Sequence, residues 1–318
     1  MHDLAIVLVS HNEVLWLRAC LTSVLASAGD CAVDVVVVCN GSDGSAELVE
    51  REFPAVRVLR CENRGFAHAN NTGLRTCDAR YALLLNVDTE VRSGAFADLV
   101  RALDTRPRAG AAGVRQVGPG GEVLPTMRNF PSVTRTLGEA VGAERWPIRR
   151  ACLGERVLDL ERYKTEQRCD WLSGSFLALR SKALHDIGLL DERFFLYREE
   201  PDLCLRLQRA GWEVRHLPVM TILHHAGRGG ISARMAAQDA FARLQYARKH
   251  FPALRRAAYV SSLGFGYLIR ACAPSRGEKA GRRSANWSAL KVLLGFERPP
   301  FGEPPSRALA RRDQHEAT

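Results

Sequence analysis

Four times in its first hundred residues the chain repeats an apolar run of strand length followed by a helical pattern. Leu4-Ala5-Ile6-Val7-Leu8-Val9, Val33 to Val38, Val56 to Leu59 and Leu83-Leu84-Leu85 are the strand runs. Apolar runs without polar alternation suit strands buried on both faces, and such strands belong to parallel sheets covered by helices on each side. The patterns between them predict helices carrying Leu15, Leu17, Leu21, Val24 and Leu25, then Ala46 to Phe53, about His68 to Cys77, and about Ser93 to Thr105. Asn12 is placed to cap the first of these. The expectation is an α/β fold with a mostly parallel central sheet flanked by helices.

Between Arg106 and Arg168 the pattern loosens. Gly110, Gly113, Gly118, Gly120 and Gly121 alternate with Pro107, Pro119, Pro125, Pro131 and Pro147, which reads as mobile loops and short elements that shape a substrate. Order returns with a strand over Asp170 to Leu179, entered through a Ser173-Gly174 turn, a helix from about Pro201 to Ala210 and a strand from Trp212 to Leu217. At 318 residues, 46% hydrophobic and 25% charged, the chain can bury one large core or two modest ones. The expected organisation is a catalytic body over 1–232, divided at 105 and 168, a basic helical extension over 233–298 and a disordered end over 299–318.

Charge is unevenly distributed. From Arg228 to Thr318 there are 17 Lys/Arg and 6 Asp/Glu, whereas the preceding residues hold 28 and 29. A neutral body with a basic tail points to an anionic surface as the tail's partner. Arg255, Arg256 and Arg270 flank Ala257 to Ile269, an apolar stretch too short to span a bilayer but suited to a helix lying in the membrane interface or packed on the body. No nucleic-acid recognition module accompanies the basic residues. Met1-His2-Asp3 leads straight into a strand without a signal-peptide pattern, and nine cysteines lack Cys-x-x-Cys spacing. A reducing cytoplasm is expected, with peripheral attachment to the inner face of the plasma membrane as an option.

Three clusters carry chemistry. Asp88 ends the run Leu84-Leu85-Asn86-Val87-Asp88, where ligands collect beyond the carboxyl ends of parallel strands, although an aspartate there can also simply open a turn. Glu199, Glu200 and Asp202 surround Pro201, which suits the first position of a helix whose dipole favours carboxylates. Apolar Phe194-Phe195-Leu196 upstream argues for a half-buried setting in which a carboxylate can accept a hydroxyl proton. His224 and His225 are adjacent and point different ways, so at most one faces a site. With Asp88 it could hold Mg²⁺ or Mn²⁺, the remaining positions going to diphosphate and water.

Taken in order, Ser10-His11-Asn12, Asn40-Gly41-Ser42-Asp43, Asn63-Arg64-Gly65 with Asn70-Asn71, Asn86-Val87-Asp88, Asp170-Trp171-Leu172-Ser173-Gly174, Glu199-Glu200-Pro201-Asp202 and His224 resemble the motifs of inverting family 2 glycosyltransferases. The likeness covers roughly residues 4–232 and is nearest to the bacterial rhamnosyltransferase branch. It implies a GT-A fold, a nucleotide-sugar donor, a divalent metal, a glycan or polyprenyl-linked acceptor and a role in cell-wall or polysaccharide biosynthesis. By this resemblance Asp88 and His224 hold the metal, Glu200 is the general base, and Glu199 and Asp202 position base or acceptor. Ser10, Asn12, Asn40, Asp43, Asn63, Arg64, Gly65, Asn70 and Asn86 lie along the donor, and Trp171, Ser173 and Gly174 along the acceptor.

Two departures stand out. Cys39 occupies the place where the family commonly has an aspartate against the nucleotide base, and Asn86 replaces the first carboxylate of the family's Asp-x-Asp motif. Two other readings compete. A sugar-phosphate nucleotidyltransferase would share the sheet and the metal, but Ser10-His11-Asn12-Glu13 stands where its Gly-rich phosphate loop belongs. A nonenzymatic binder of anionic membranes would explain the tail and leave the ordered carboxylates unexplained.

Overall fold

A computed structural model describes residues 2–143, 153–225, 232–273 and 279–301. The chain divides into two compact units, one formed by Met1–Arg128, Asp159–Leu190 and Glu200–Ala226, the other by Asn129–Leu158, Asp191–Glu199 and Gly227–Thr318.

The first unit holds the sheet. In chain order it runs β1 (His2–Ser10), α1 (Val14–Ala26), β2 (Val33–Cys39), α2 (Ser45–Glu52), β3 (Arg57–Arg60), α3 (Phe66–Leu74), β4 (Ala79–Asn86), β5 (Thr89–Ser93), α4 (Phe96–Asp104), β6 (Ala109–Val117) and β7 (Met127–Arg128). The second unit contributes α5 (Val133–Ala140); the first then resumes with β8 (Gln167–Arg168), β9 (Trp171–Leu172), β10 (Phe176–Arg180), α6 (Ser181–Ile187), α7 (Glu199–Arg209) and β11 (Glu213–His224). The strand order is β3-β2-β1-β4-β10-β6-β11-β5, with β8 also on β11. β10 lies antiparallel between β4 and β6, and β5 antiparallel beside β11; the long strands β1, β2, β4, β6 and β11 all point the same way. Leu4 to Leu8, Val35 to Val38 and Leu83 to Leu85 are buried, as continuous apolar runs require.

The loop expectation for 106–168 is corrected by β6, a central strand inside that region. Its sequence, Ala109-Gly110-Ala111-Ala112-Gly113, has little of the β-branched signal that identifies strands, because large neighbours fill its faces. A Cβ on Gly110 would lie 2.7 Å from the Trp212 Cβ, and one on Gly113 would lie 3.2 Å from Leu172. β5 interrupts the predicted helix from Ser93, which begins at Phe96 instead. The helix expected at 68–77 starts at Phe66 and ends at Leu74, the strand over 170–179 is broken at its Ser-Gly turn into β9 and β10, and β11 continues past Leu217 to His224.

The second unit contains α5 and three later helices, α8 (Ala233–His250), α9 (Ala253–Cys272) and α10 (Lys279–Leu293). At its centre Arg198, 7% exposed, pairs with Glu155 at 2.7 Å and Asp239 at 3.2 Å, while Arg243 pairs with the same two carboxylates at 2.9 and 2.8 Å. Tyr197 and Arg198 both take left-handed backbone angles, φ 70° and 73°, which non-glycine residues hold only where surroundings over-determine them. The buried pairing of Arg198 supplies that constraint. Five of the 13 residues of the apolar stretch foreseen as an interfacial helix are buried, Tyr259, Leu263 and Tyr267 of α9 among them. Of the end expected to be disordered, residues 302–318 lie outside the described residues.

Candidate active site

Because the long strands run together, their carboxyl ends share one edge of the sheet. Ser10 is opposite Cys39, Val9 opposite Asn86, and Leu223 opposite Val117. β10 starts at the same edge, where the Asn86 N–H donates to the Ser175 carbonyl at 3.1 Å. The candidate site residues are built on this edge, where open α/β sheets bind ligands.

Asp88 follows β4 in a tight turn, and His224 closes β11 beside Thr89. The His224 Nε2 lies 3.3 Å from Asp88 Oδ1. The neighbouring histidine is turned elsewhere: the His225 N–H donates to the Asp88 carbonyl at 2.9 Å, its Nε2 lies 2.7 Å from Glu90 Oε1, and its ring stacks on Trp16 with centroids 4.6 Å apart. Only His224 is left to act with the Asp88 carboxylate.

Glu13, which the sequence does not single out, lies within electrostatic reach of this pair. Its carboxyl is pushed up to about 7, first by desolvation and then by the charges of Asp88 and Asp43 against the opposing pull of His11 and His224. Its position just before α1 identified it only as something other than a phosphate-loop residue. The cap expected from Asn12 is made differently. Asn12 is left-handed at φ 58° and accepts from the Ser42 N–H at 2.9 Å, while Asp43 caps α1 by accepting from the Val14 N–H at 2.7 Å. Burial raises the Asp43 carboxyl, but the hydrogen bonds from Ser45 and Val14 outweigh it and hold the group below its ordinary value.

The remaining donor-side residues divide into two sets. His11 Nδ1 lies 3.1 Å from Asn40 Oδ1, and the Asn63 amide lies 3.5 Å from His11 Nε2, so these three form one polar cluster, with Asn63 also accepting from the Gly65 N–H at 3.3 Å. Arg64 is half-buried next to it, with Nε lacking a partner. Ser10 and Asn70 are buried instead; Ser10 bonds Ser45 at 2.9 Å and Asn70 donates to the Phe66 carbonyl at 2.9 Å, which gives both structural partners. Asn71, on the same helix, clamps Leu190 through both of its backbone groups at 2.9 and 3.1 Å. Cys39 is buried, and desolvation pushes its thiol up to about 11, so it carries no charge at the strand end.

On the acceptor side the Gly174 N–H donates to Glu200 Oε1 at 3.0 Å. A Cβ on Gly174 would stand 2.6 Å from that oxygen, so this approach depends on the glycine. Ser173 accepts from Ser175 Oγ at 3.3 Å, and Trp171 lies under the Arg128 guanidinium at 5.8 Å. Asp202 is fully buried and bonded to Arg206 Nε at 2.9 Å; Arg206 also donates to the carbonyls of Ile187 and Leu189. Glu199 is buried at the start of α7. Pro201 is the third helical residue rather than the first, a place where its missing N–H costs nothing because the first turn of a helix has no internal acceptors.

Among the described residues, no three His, Cys, Asp or Glu side chains are gathered to enclose a metal. One carboxylate and one imidazole within 3.3 Å suit a divalent cation that draws the rest of its oxygen shell from a diphosphate and water.

The mostly parallel sheet flanked by helices is that of a GT-A glycosyltransferase, as known proteins show. The family model for Glycosyl transferase family 2 matches residues 5–159. The N-acetylglucosaminyl-diphospho-decaprenol L-rhamnosyltransferase of Mycobacterium tuberculosis is 34% identical over 235 residues, covering 70% of this chain and 76% of its own. Rhamnosyltransferase WbbL of Escherichia coli is 21% identical over 235 residues, 70% of this chain and 83% of its own. Among solved structures, mannosyltransferase PcManGT from Pyrobaculum calidifontis, in complex with GDP-Man and Mn²⁺, aligns with TM-score 0.55 and 15% identity over 93% of this chain and 90% of that one. GalNAc-T7 with UDP, GalNAc and Mn²⁺ aligns with TM-score 0.62 and 14% identity, over 93% of this chain and 56% of that one. The chain belongs to glycosyltransferase family 2.

Proposed function

We propose that this glycosyltransferase moves a deoxyhexose such as rhamnose from a nucleotide-diphosphate donor to a polyprenyl-linked glycan, by single displacement with inversion at the anomeric carbon. The observation that carries the reading is the pairing of Asp88 with His224 on the sheet edge that also fixes the Glu200 carboxylate through Gly174. The printed activity of the mycobacterial relative supports the choice of sugar and acceptor.

In this reading Asp88 and His224 hold a divalent ion, as the Mn²⁺ of the two structural neighbours suggests. When bound, the ion neutralises charge that grows on the departing diphosphate. His11, Asn40, Asn63 and Arg64 line the nucleotide and diphosphate. Glu200 takes the acceptor hydroxyl's proton, its carboxylate held in place by the Gly174 amide. Asp202 and Arg206 hold α7, and with it the base, against the backbone at 187–189.

The test is release of nucleoside diphosphate from a panel of nucleotide sugars, with and without a polyprenyl-diphospho-N-acetylglucosamine acceptor. Release from a deoxyhexose donor, stimulated by that acceptor and giving an inverted linkage, is expected. Release from a different sugar alone would replace the donor assignment, and acceptor-independent formation of a nucleotide sugar from a sugar phosphate would favour the nucleotidyltransferase.

A further inference from the structure

One exposed stripe of α9 carries no charge. Leu254, Ala258, Ser261, Phe265, Leu268 and Cys272 follow spacings of three and four, which puts them on one stripe of the helix, and all six are exposed. Leu254 is 85% exposed and Phe265 48%. The opposite face, with Tyr259, Leu263 and Tyr267, is the buried one, so this helix is apolar on both sides while, among the described residues, only one side is covered. α10 packs alongside it, Gly264 lying where an added Cβ would touch Leu290 and Leu293, and Phe296 just beyond α10 is 77% exposed.

Two occupants fit an uncovered apolar face of this size, a second copy of the chain or a lipid surface. Charge decides between them. Neither α9 nor α10 contains an aspartate or glutamate, whereas Arg255, Arg256 and Arg270 lie on α9 and Arg282, Arg283 and Lys291 on α10, Lys291 being paired with a carboxylate just beyond the helix, Glu297 at 2.7 Å. Arg255, Arg282 and Arg283 are exposed. A second copy would bring cations against cations, while anionic headgroups complement them and the apolar stripe enters the acyl boundary. Among the described residues no helix is long and apolar enough to cross a membrane, so contact is with one leaflet.

We infer that the outward face of α9 lies in the interface of an anionic lipid membrane, with the cations of α9 and α10 at the headgroups. The inference gives the proposed lipid-linked acceptor a surface on which to be met, and it rests on that reading only for its purpose.

The experiment uses the full chain and vesicles of phosphatidylcholine with or without about one third phosphatidylglycerol. Co-sedimentation with the anionic vesicles, weakened by salt, is expected, and Phe265→Asp/Leu268→Asp should weaken it at least about 100-fold. Because both side chains are exposed, circular dichroism of that variant should match the parent, and transfer to a short water-soluble acceptor should be unchanged. A second measurement needs no disruptive substitution: an environment-sensitive fluorophore on the exposed Cys272 should shift to the blue when anionic vesicles are added. Absence of vesicle binding, or binding indifferent to the double variant with no Cys272 shift, overturns the inference. A dimer that forms without lipid and is broken by Phe265→Asp replaces the membrane with a second copy. Transfer that fails on every donor while vesicle binding persists rejects the proposed activity and leaves the membrane face standing.

Discussion

At the scale of single residues, two positions test the chemistry without disturbing the fold. Glu200→Gln removes the proton acceptor but keeps the bond from Gly174, so turnover should fall roughly 10²- to 10⁴-fold while donor binding, measured by calorimetry, survives. Near-normal turnover would take Glu200 out of the role. Gly174→Ala should act on the same carboxylate indirectly, since the new methyl would crowd Glu200 Oε1; displacement by about 1 Å can cost on the order of 10²-fold in kcat, with little change in KM for the donor. An unchanged kcat would show that the base is not held where the Gly174 amide puts it. Asp88 and His224 were legible in the sequence because ordered motifs named them. Glu13 was not, since its shift comes first from desolvation and then from Asp88 and Asp43, surroundings that only the folded sheet edge supplies. Asn12 was misread as a cap for a similar reason: its left-handed backbone and its bond to Ser42 are set by a loop 30 residues away.

At the scale of elements, the apolar runs gave away β1, β2 and β4, whereas β6 was hidden by its own packing. Small residues were read as loop punctuation when they mark close approach to Trp212 and Leu172. Gly110→Val should therefore cost about 1–3 kcal/mol in urea unfolding, the usual price of overpacking, despite improving strand propensity; a stabilised variant would refute the packing explanation. In the second unit the four-membered ion cluster is the vulnerable element. Arg198→Met leaves Glu155 with one cation instead of two and should destabilise that unit by about 3 kcal/mol, the lower end for a broken buried pair. Acid should loosen it as well. Burial raises Asp239, but the charges of Arg243 and Arg198 more than offset this and bring it to about 2 from an ordinary 3.8. A carboxylate depressed on folding contributes stability that is present above pH 3.8 and lost as pH falls toward about 2. Asp239→Asn should flatten that part of an acid titration followed by circular dichroism, and an unaltered curve would remove Asp239 from the account.

At the scale of the whole molecule, substrate should bind as a set. Two protein groups make a weak site for a free cation, so Mn²⁺ alone should leave Tm almost unchanged. Nucleoside diphosphate with Mn²⁺, at about 100 times its Kd, should add about 2.7 kcal/mol, and excess chelator should abolish both the shift and sugar transfer. Full transfer in chelator would sink the Asp88-His224 assignment. The excess of basic residues was visible from composition, but composition could not say which face of the apolar stretch near Arg255 is buried and which is left exposed. The strand order has a further consequence, which concerns synthesis. β4 pairs on one side with β1, which precedes it, and on the other with β10, which emerges only after residue 180 has been made. For that interval the ribosome-bound chain presents a leucine-rich strand with a bare row of amides and carbonyls, a template for pairing with another nascent chain. A terminated fragment ending near Thr105 should consequently aggregate, even though it contains every helix and strand of the donor half.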